Sequence, residues 1–296
     1  MAIPEEQLEV WSKQGSISGS RDTYAAIKGA LEDANAPYSG HGFSTFLQGS
    51  YGNDTNVWSE SDVDVVMRLD DAFQYDVDRL TDDSRARFDR AYAGVPYGYA
   101  EFKVEVASWM RAKYGNTVHV GTKAIRVDGN GNRRDADVLP CMRFRRYHRF
   151  NAMYDESYVE GICFYRNDGL RIENYPKQHA DNCTTKHQGT NGWFKPMARV
   201  IKNMRNRMVS GGLIRDGLAP SYYIEGLLYN LPSPLFDHSF ERTFLQFWNW
   251  TSRADKTNFV TANEQFYLLR NGFPTSWEPA DCEDFLTALA RFWDDW

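Results

Sequence analysis

Asp62 and Asp64, separated only by Val63, are the residues of this sequence whose type and spacing most directly suggest chemistry. Residues 61–67 are dominated by β-branched and apolar side chains and read as a strand. Successive side chains on a strand alternate faces, so the two carboxylates point the same way while Val63 and Val65 point into a core. Two carboxylates about 4 Å apart repel by about 4 kcal/mol at an effective dielectric near 20. Such a pair shares a proton or holds something positive. A divalent ion such as Mg²⁺ suits it, since that ion takes a few carboxylate oxygens and completes its shell with water and substrate phosphates. The plainer alternative is a solvated edge strand whose acids deter aggregation. Just upstream, Gly49 permits close backbone approach, Ser50 brings a hydroxyl, and Gly52 and Asn53 keep the segment tight. Backbone N–H groups in such a turn can form an anion-binding nest.

A phosphate cradle followed by a metal-binding strand is what nucleotidyl transfer requires. The order resembles the Gly-Ser…Asp-x-Asp signature of the DNA-polymerase-β-like nucleotidyltransferase superfamily, with Gly49, Ser50, Asp62 and Asp64 in its positions. That pattern needs a third carboxylate on a neighbouring strand. In "RRDADVLPCMRF" (133–144), Asp135 and Asp137 alternate with Ala136 and Val138 and share one face, and Pro140 is expected to end or bend the strand. "ADVLPC" resembles the third-acid strand of the oligoadenylate synthetases and of the bacterial cGAS/DncV-like nucleotidyltransferases. The resemblance gives the third role to Asp137 and leaves Asp135 as a solvated neighbour of the hairpin turn "DGNGNR" (128–133).

The elements that must position these groups follow from the rest of the chain. With 296 residues there is enough length for a sizeable core in two lobes. Residues 4–35 read as partly helical, interrupted by the Ser/Gly stretch 15–22, with an apolar face at Tyr24, Ile27 and Leu31. Residues 76–112 read as mostly helix, and strands are expected at 118–127, 134–147 and 158–166. From 171 onward the pattern is helical, with amphipathic stretches at 192–209 and 220–230. The expected fold is therefore α+β: a sheet lobe with flanking helices over 1–170 and a helical lobe over 171–296.

Hydrophobic residues make up 42% of the chain, and no apolar run reaches the roughly 18 residues of a membrane-spanning helix. The first residues, "MAIPEEQLEVW", are acidic and polar, unlike a secretory signal. A net charge of −6 argues against broad, stable binding of nucleic acid. Cys141, Cys163, Cys183 and Cys282 are dispersed, as expected of reduced thiols in a cytoplasmic protein. His179, Cys183 and His187 recur every four residues, which on a helix would align metal ligands. The turn formers in "CTTKHQGTNG" argue against a helix running through His187, and a fourth ligand is lacking nearby, so zinc is not expected. The aromatic end "RFWDDW" is expected to pack on the helical lobe rather than to serve as a conjugation tail.

Between Asn182 and Arg215 there are seven Lys or Arg and no acid. Lys195, Arg199, Lys202 and, more loosely, Arg205 recur at spacings of four and three and form one helix face. That face is either a solvated stripe or the partner of a triphosphate. The resemblance assigns the phosphate-contacting lysine to Lys202, with Arg199 second. "PSYYIEG" (220–226) resembles the family's Pro-Ser-x-x-x-Glu helix, which implies Ser221 near the phosphates and Tyr222 stacked on a base. Such stacking is worth about 1–3 kcal/mol. Tyr222 and Tyr223 read equally as core aromatics. Segments similar to "NYPKQH" border the nucleotide pocket in this family, and there Asn174 could read a base edge.

Taken with "FLQGSYGNDTN", which adds Gln48 to the nucleotide-binding set, and "TNGWFK", these segments resemble the bacterial CD-NTases, in particular the CdnE-like branch. No insertion like the zinc thumb of animal cyclic GMP–AMP synthase is visible. The resemblance implies a polymerase-β-like palm, a helical lobe closing over it, and an active site in the cleft. It implies synthesis of a cyclic di- or trinucleotide from NTPs in anti-phage signalling. Asp62, Asp64 and Asp137 would hold two Mg²⁺ ions, for which Mn²⁺ could substitute, about 3.5–4 Å apart. It further implies a monomer acting on a downstream effector protein that responds to the cyclic nucleotide. The alternatives are a template-independent transferase modifying RNA or a protein, and a catalytically dead binding module on the same fold.

Overall fold

The computed structural model describes residues 3–15, 18–58, 62–92 and 97–296. In chain order the elements begin with α1 (Glu5–Ser12), α2 (Ser18–Leu31), β1 (Phe43–Leu47), the single turn α3 (Gly49–Gly52) and β2 (Val63–Asp76). Helices α4 (Asp82–Ala91) and α5 (Tyr99–Tyr114) follow, then β3 (Val118–Val120), β4 (Ile125–Val127), β5 (Ala136–Ala152), β6 (Asp155–Tyr165) and β7 (Arg171–Asn174). The remainder is mainly helical: α6 (Pro176–Gly189), α7 (Phe194–Ser210), α8 (Ser221–Asn230), α9 (Phe240–Thr251) and α10 (Pro279–Asp294).

The chain groups into two compact units, one of Ser18–Gln48 and Asp62–Pro176, the other of Met1–Ile17, Gly49–Ser61 and Lys177–Trp296. A single boundary at 170/171 does not describe this grouping. α1 packs on α7 and α9, and α3 on α8, so the N-terminal helix and the Gly-Ser segment belong with the C-terminal helices.

In the sheet unit the strand order is β1-β2-β5-β4-β3, with β6 paired to β5 and β7 to β6. β2 and β5 run parallel at its centre, and the other pairs are antiparallel. A central parallel pair is covered on both faces. Val63, Val65, Val66, Met67 and Leu69 are accordingly all buried, and the expected alternation of core and acid holds only at the start of β2. Ser61, expected in this strand, lies outside the described residues. Pro140 neither ends nor bends β5. It stands between Val138, the last residue paired to β4, and Met142, the first paired to β6, where that edge offers no ladder for a missing N–H to break.

Three further expectations change. Helix α2 starts at Ser18, inside the Ser/Gly stretch, and its Thr23 hydroxyl bonds back to Gly19 O at 2.8 Å. The segment read as mostly helix from 76 contains the end of β2 and two separate helices, with 93–96 outside the described residues. Residues 171–174 form β7, paired with residues 162–165 of β6, and Gly161 leaves room where the chain passes its end. A Cβ there would lie 2.6 Å from Asn174 O and 2.8 Å from the Tyr175 ring.

In the helical unit α7 is the central helix, with Met197, Ala198, Val200, Ile201, Met204 and Met208 all buried. Helices α1, α8, α9 and α10 pack around it. The aromatic end of the chain packs within this unit: Trp293 stacks on Phe244 at 4.0 Å and Trp296 meets Trp11 edge-on at 5.2 Å. No helix among the described residues is long and apolar enough to cross a membrane.

Candidate active site

The three aspartates converge at the start of the two central strands. Asp64 on β2 and Asp137 on β5 occupy the same register of the parallel pair, and Asp62 immediately precedes β2, two residues before Asp64. Asp62 is exposed, and the other two are half-buried. Burial first, and then the charge of Asp62, raise Asp137 above the usual carboxylate range, with Asp135 adding to the effect and Arg126 opposing it. Arg126 lies on β4 directly opposite Asp137 and binds Asp128 at 3.1 Å and Asp135 at 2.6 Å. Asp135 also accepts the Gly129 N–H at 2.6 Å, so it fastens the hairpin turn. Carboxylates gathered at this register, with the charge of Asp137 disfavoured by burial and by Asp62, offer the oxygen ligands that fit a hard divalent cation.

The Gly-Ser segment belongs to the helical unit. Gly49 has φ +69°, a backbone conformation that favours glycine, and the next residues form one helical turn instead of an open loop. That turn closes through Asn53 N–H to Gly49 O at 3.1 Å and Thr55 N–H to Ser50 O at 2.9 Å. The basic face of α7 is turned onto this segment and is not a solvated stripe. Lys195 binds Asp54 at 3.1 Å, and Arg199 donates to Asp54 O at 2.5 Å and to Ser12 O. Lys202 is fully buried and donates to Ser50 Oγ at 2.9 Å and Thr55 O at 3.1 Å. Arg205 reaches Ala219 O at 2.5 Å and Ser221 Oγ at 3.2 Å. Burial pushes Arg199 down to about 10.

Beneath the segment lies Glu225 of α8, 2% exposed. Its carboxylate accepts from Thr55 Oγ1, Asn53 Nδ2 at 3.2 Å and His179 Nε2 at 2.6 Å, and pairs with Lys202 Nζ at 2.9 Å. Burial alone would raise this carboxyl, but Lys202, His179 and Thr55 outweigh it and hold it well below its usual range. Helix α6 does run through His187, because His179 and Cys183 on its inner face are buried in the unit, and packing overrides weak helix propensity. His187 sits apart, accepting the Lys195 N–H at 3.4 Å. Among the described residues, a group with metal-ligand spacing is instead His179, Cys183 and Glu225. Lys202 already holds the carboxylate, and burial raises the Cys183 thiol far above its usual value, so the group reads as a hydrogen-bonded hub.

Ser221 opens α8 beside Arg205. Tyr222 stacks on His179 at 5.0 Å, and its hydroxyl accepts from Asn263 Nδ2 at 2.9 Å. Tyr223 stacks on Trp277 at 5.7 Å against the hydrophobic core. In the sheet unit, Asn174 ends β7 with its Oδ1 accepting the Tyr175 N–H at 2.9 Å. Gln48 pairs its N–H with Asp64 O at 3.1 Å, while its Oε1 is buried without a hydrogen-bond partner.

Residues 181–294 match the C-terminal helical domain of the cGAS/DncV-like nucleotidyltransferases. A cyclic UMP-AMP synthase of Rhodothermus marinus is 36% identical over 100% of this chain and 99% of its own length. The chain belongs to the CD-NTases, the cGAS/DncV-like nucleotidyltransferases. A cyclic dipurine nucleotide synthase of Elizabethkingia meningoseptica, another relative of this CD-NTase, is 33% identical over 95% of each chain. The structure of the Rhodothermus marinus CdnE c-UMP-AMP synthase with Apcpp and Upnpp superposes with a TM-score of 0.88 at 35% identity, covering 99% of this chain and 97% of that one. The protein is thus a nucleotidyltransferase enzyme with the mixed α+β architecture and C-terminal helical domain of its family.

Sequence reading attached no role to Glu225, Thr55 or Arg126, and gave Asn53 only the part of keeping the Gly-Ser segment tight. Glu225 was marked by being the one charge in an otherwise apolar and aromatic helix segment, "SYYIEGLLYN". Nothing local tied Thr55 or Asn53 to Glu225, which lies 170 and 172 positions away.

Proposed function

We propose that the protein makes a cyclic dinucleotide second messenger from two NTPs, releasing pyrophosphate at each bond, in CBASS-type anti-phage signalling through a cyclic-nucleotide-responsive effector. Support comes above all from the register of Asp64 against Asp137, with Asp62 just before them, in a chain whose full-length relatives are named cyclic nucleotide synthases. Asp62, Asp64 and Asp137 would hold two Mg²⁺ ions, which would supply acidification of the attacking ribose hydroxyl and neutralisation of the departing pyrophosphate. Asp137 stands beside the attacking hydroxyl. Gln48, Gly49, Ser50 and Ser221 orient the triphosphate. Lys202, with Lys195 and Arg199, supplies the positive field behind the Gly-Ser segment. Tyr222 lies beside a base, and Asn174 reads a base edge. A linear pppNpN intermediate turns round so that its own triphosphate is attacked and the ring closes.

Product analysis tests this. The protein is incubated with Mg²⁺ and each pair of NTPs labelled at the α-phosphate, and the reaction is then treated with phosphatase. A small, phosphatase-resistant species is expected, and the productive pair names its bases. Label found only on added RNA or protein would point to the alternative transferase. Asn174→Ser is expected to change the preferred pair; an unchanged preference would remove Asn174 from the base-reading role.

A further inference from the structure

Glu225 is a buried carboxylate with no part in the chemistry described so far. Burying an ionised carboxylate costs several kcal/mol even when it is paired, and apolar replacements of similar volume often serve packing as well or better. Its two oxygens are met from three directions. Lys202 and Thr55 bind Oε1, and His179 and Asn53 bind Oε2. With both oxygens taken by these donors and the residue 2% exposed, Glu225 acts through them.

Two consequences reach Ser50. Lys202 donates to Ser50 Oγ at 2.9 Å as well as to Glu225. An ammonium group can only donate, so the serine oxygen is the acceptor in that bond and its own proton points elsewhere. Thr55, held by Glu225, also takes the Ser50 carbonyl on its backbone N–H at 2.9 Å, which sets the turn that carries Ser50. We infer that Glu225 is a positioning residue for nucleotide binding: it fixes Lys202 and residues 53–55, and with them the turn that carries Ser50 to a substrate phosphate. The inference rests on the proposed phosphate contact of Ser50.

Equilibrium binding of a non-hydrolysable ATP analogue with Mg²⁺ tests it, measured on wild type, Glu225→Gln, Ser50→Ala and the double variant. Losing one hydrogen bond to a charged phosphate weakens binding about tenfold or more. Each single variant is expected to show that loss, and the double variant to be no weaker than the worse single, because both changes remove the same contact. A Glu225→Gln affinity equal to wild type overturns the inference. So does a double variant weakened by the product of the two single factors, which marks a general packing role. If Glu225→Gln does not fold, Lys202→Met/Glu225→Gln removes both buried charges together. That variant is expected to fold and bind as poorly as Ser50→Ala, and wild-type affinity in it overturns the inference. Turnover of the same samples is read separately. A wild type that binds the analogue but makes no cyclic product contradicts the proposed reaction, while the binding comparison still decides the role of Glu225.

Discussion

Aspartate is chemically the same at 62, 64, 135 and 137, and its surroundings decide what each one does. Asp135 is occupied by Arg126 and the Gly129 N–H, whereas Asp137 sits half-buried with its charge disfavoured by Asp62. Asp137→Asn is therefore expected to lower turnover by about a thousandfold or more. Its thermal midpoint in metal-free buffer should hold or rise, since like charges are separated. A fall of several degrees would contradict this. Glu225 is the opposite case, with its carboxyl held below the ordinary value of 4.5. A depressed acid contributes stability that is complete above its unfolded pKa and is lost as pH falls toward the folded one. Glu225→Gln should thus cost about 3–5 kcal/mol near neutral pH, because the buried Lys202 loses the negative charge of Glu225. The gap should narrow steadily below about pH 4.5. Denaturant titrations of both proteins from pH 7 to pH 3 measure it, and a constant difference would contradict the assignment. The acid pair was legible in sequence because strand periodicity acts between neighbours. The hub around Glu225 was not, because its contacts join distant segments.

At the scale of elements, periodicity located α7 and α8 within a residue or two, since their apolar positions recur at helical spacing. It left open whether the basic stripe of α7 faces solvent or a partner. Its charges are matched by backbone carbonyls and acids of the Gly-Ser segment and α8, which no local pattern announces. β7 was missed for a similar reason: four residues acquire strand geometry by pairing with β6, beside which Gly161 leaves room for Asn174 O and the Tyr175 ring. Gly161→Ala should force Asn174 O and the Tyr175 ring away from β6 and destabilise the fold by about 1–3 kcal/mol. Chemical denaturation measures that cost, and the same variant should blur the choice among NTP pairs if Asn174 reads a base. An unchanged midpoint would show that β7 yields without strain.

For the whole molecule, the sequence indicated a mixed α/β part followed by helices, but not that the chain returns at 49–61 to the helical unit between two segments of the sheet unit. The consequence is that the acids and the Gly-Ser segment, only a dozen residues apart in sequence, are held by different cores. A core truncation such as Ile201→Ala, at a fully packed position of α7, should cost about 2–5 kcal/mol. It should weaken nucleotide binding through Ser50 more than it disturbs the register of Asp64 and Asp137. Mass spectrometry of the product formed from unlabelled NTPs with Mg²⁺ tests the central claim most directly. The account predicts a species with as many phosphodiester bonds as nucleotides and no terminal phosphate, formed by the wild type and absent with Asp62→Asn/Asp64→Asn. A linear pppNpN as the only end product, or mass added to RNA or protein instead, would contradict it.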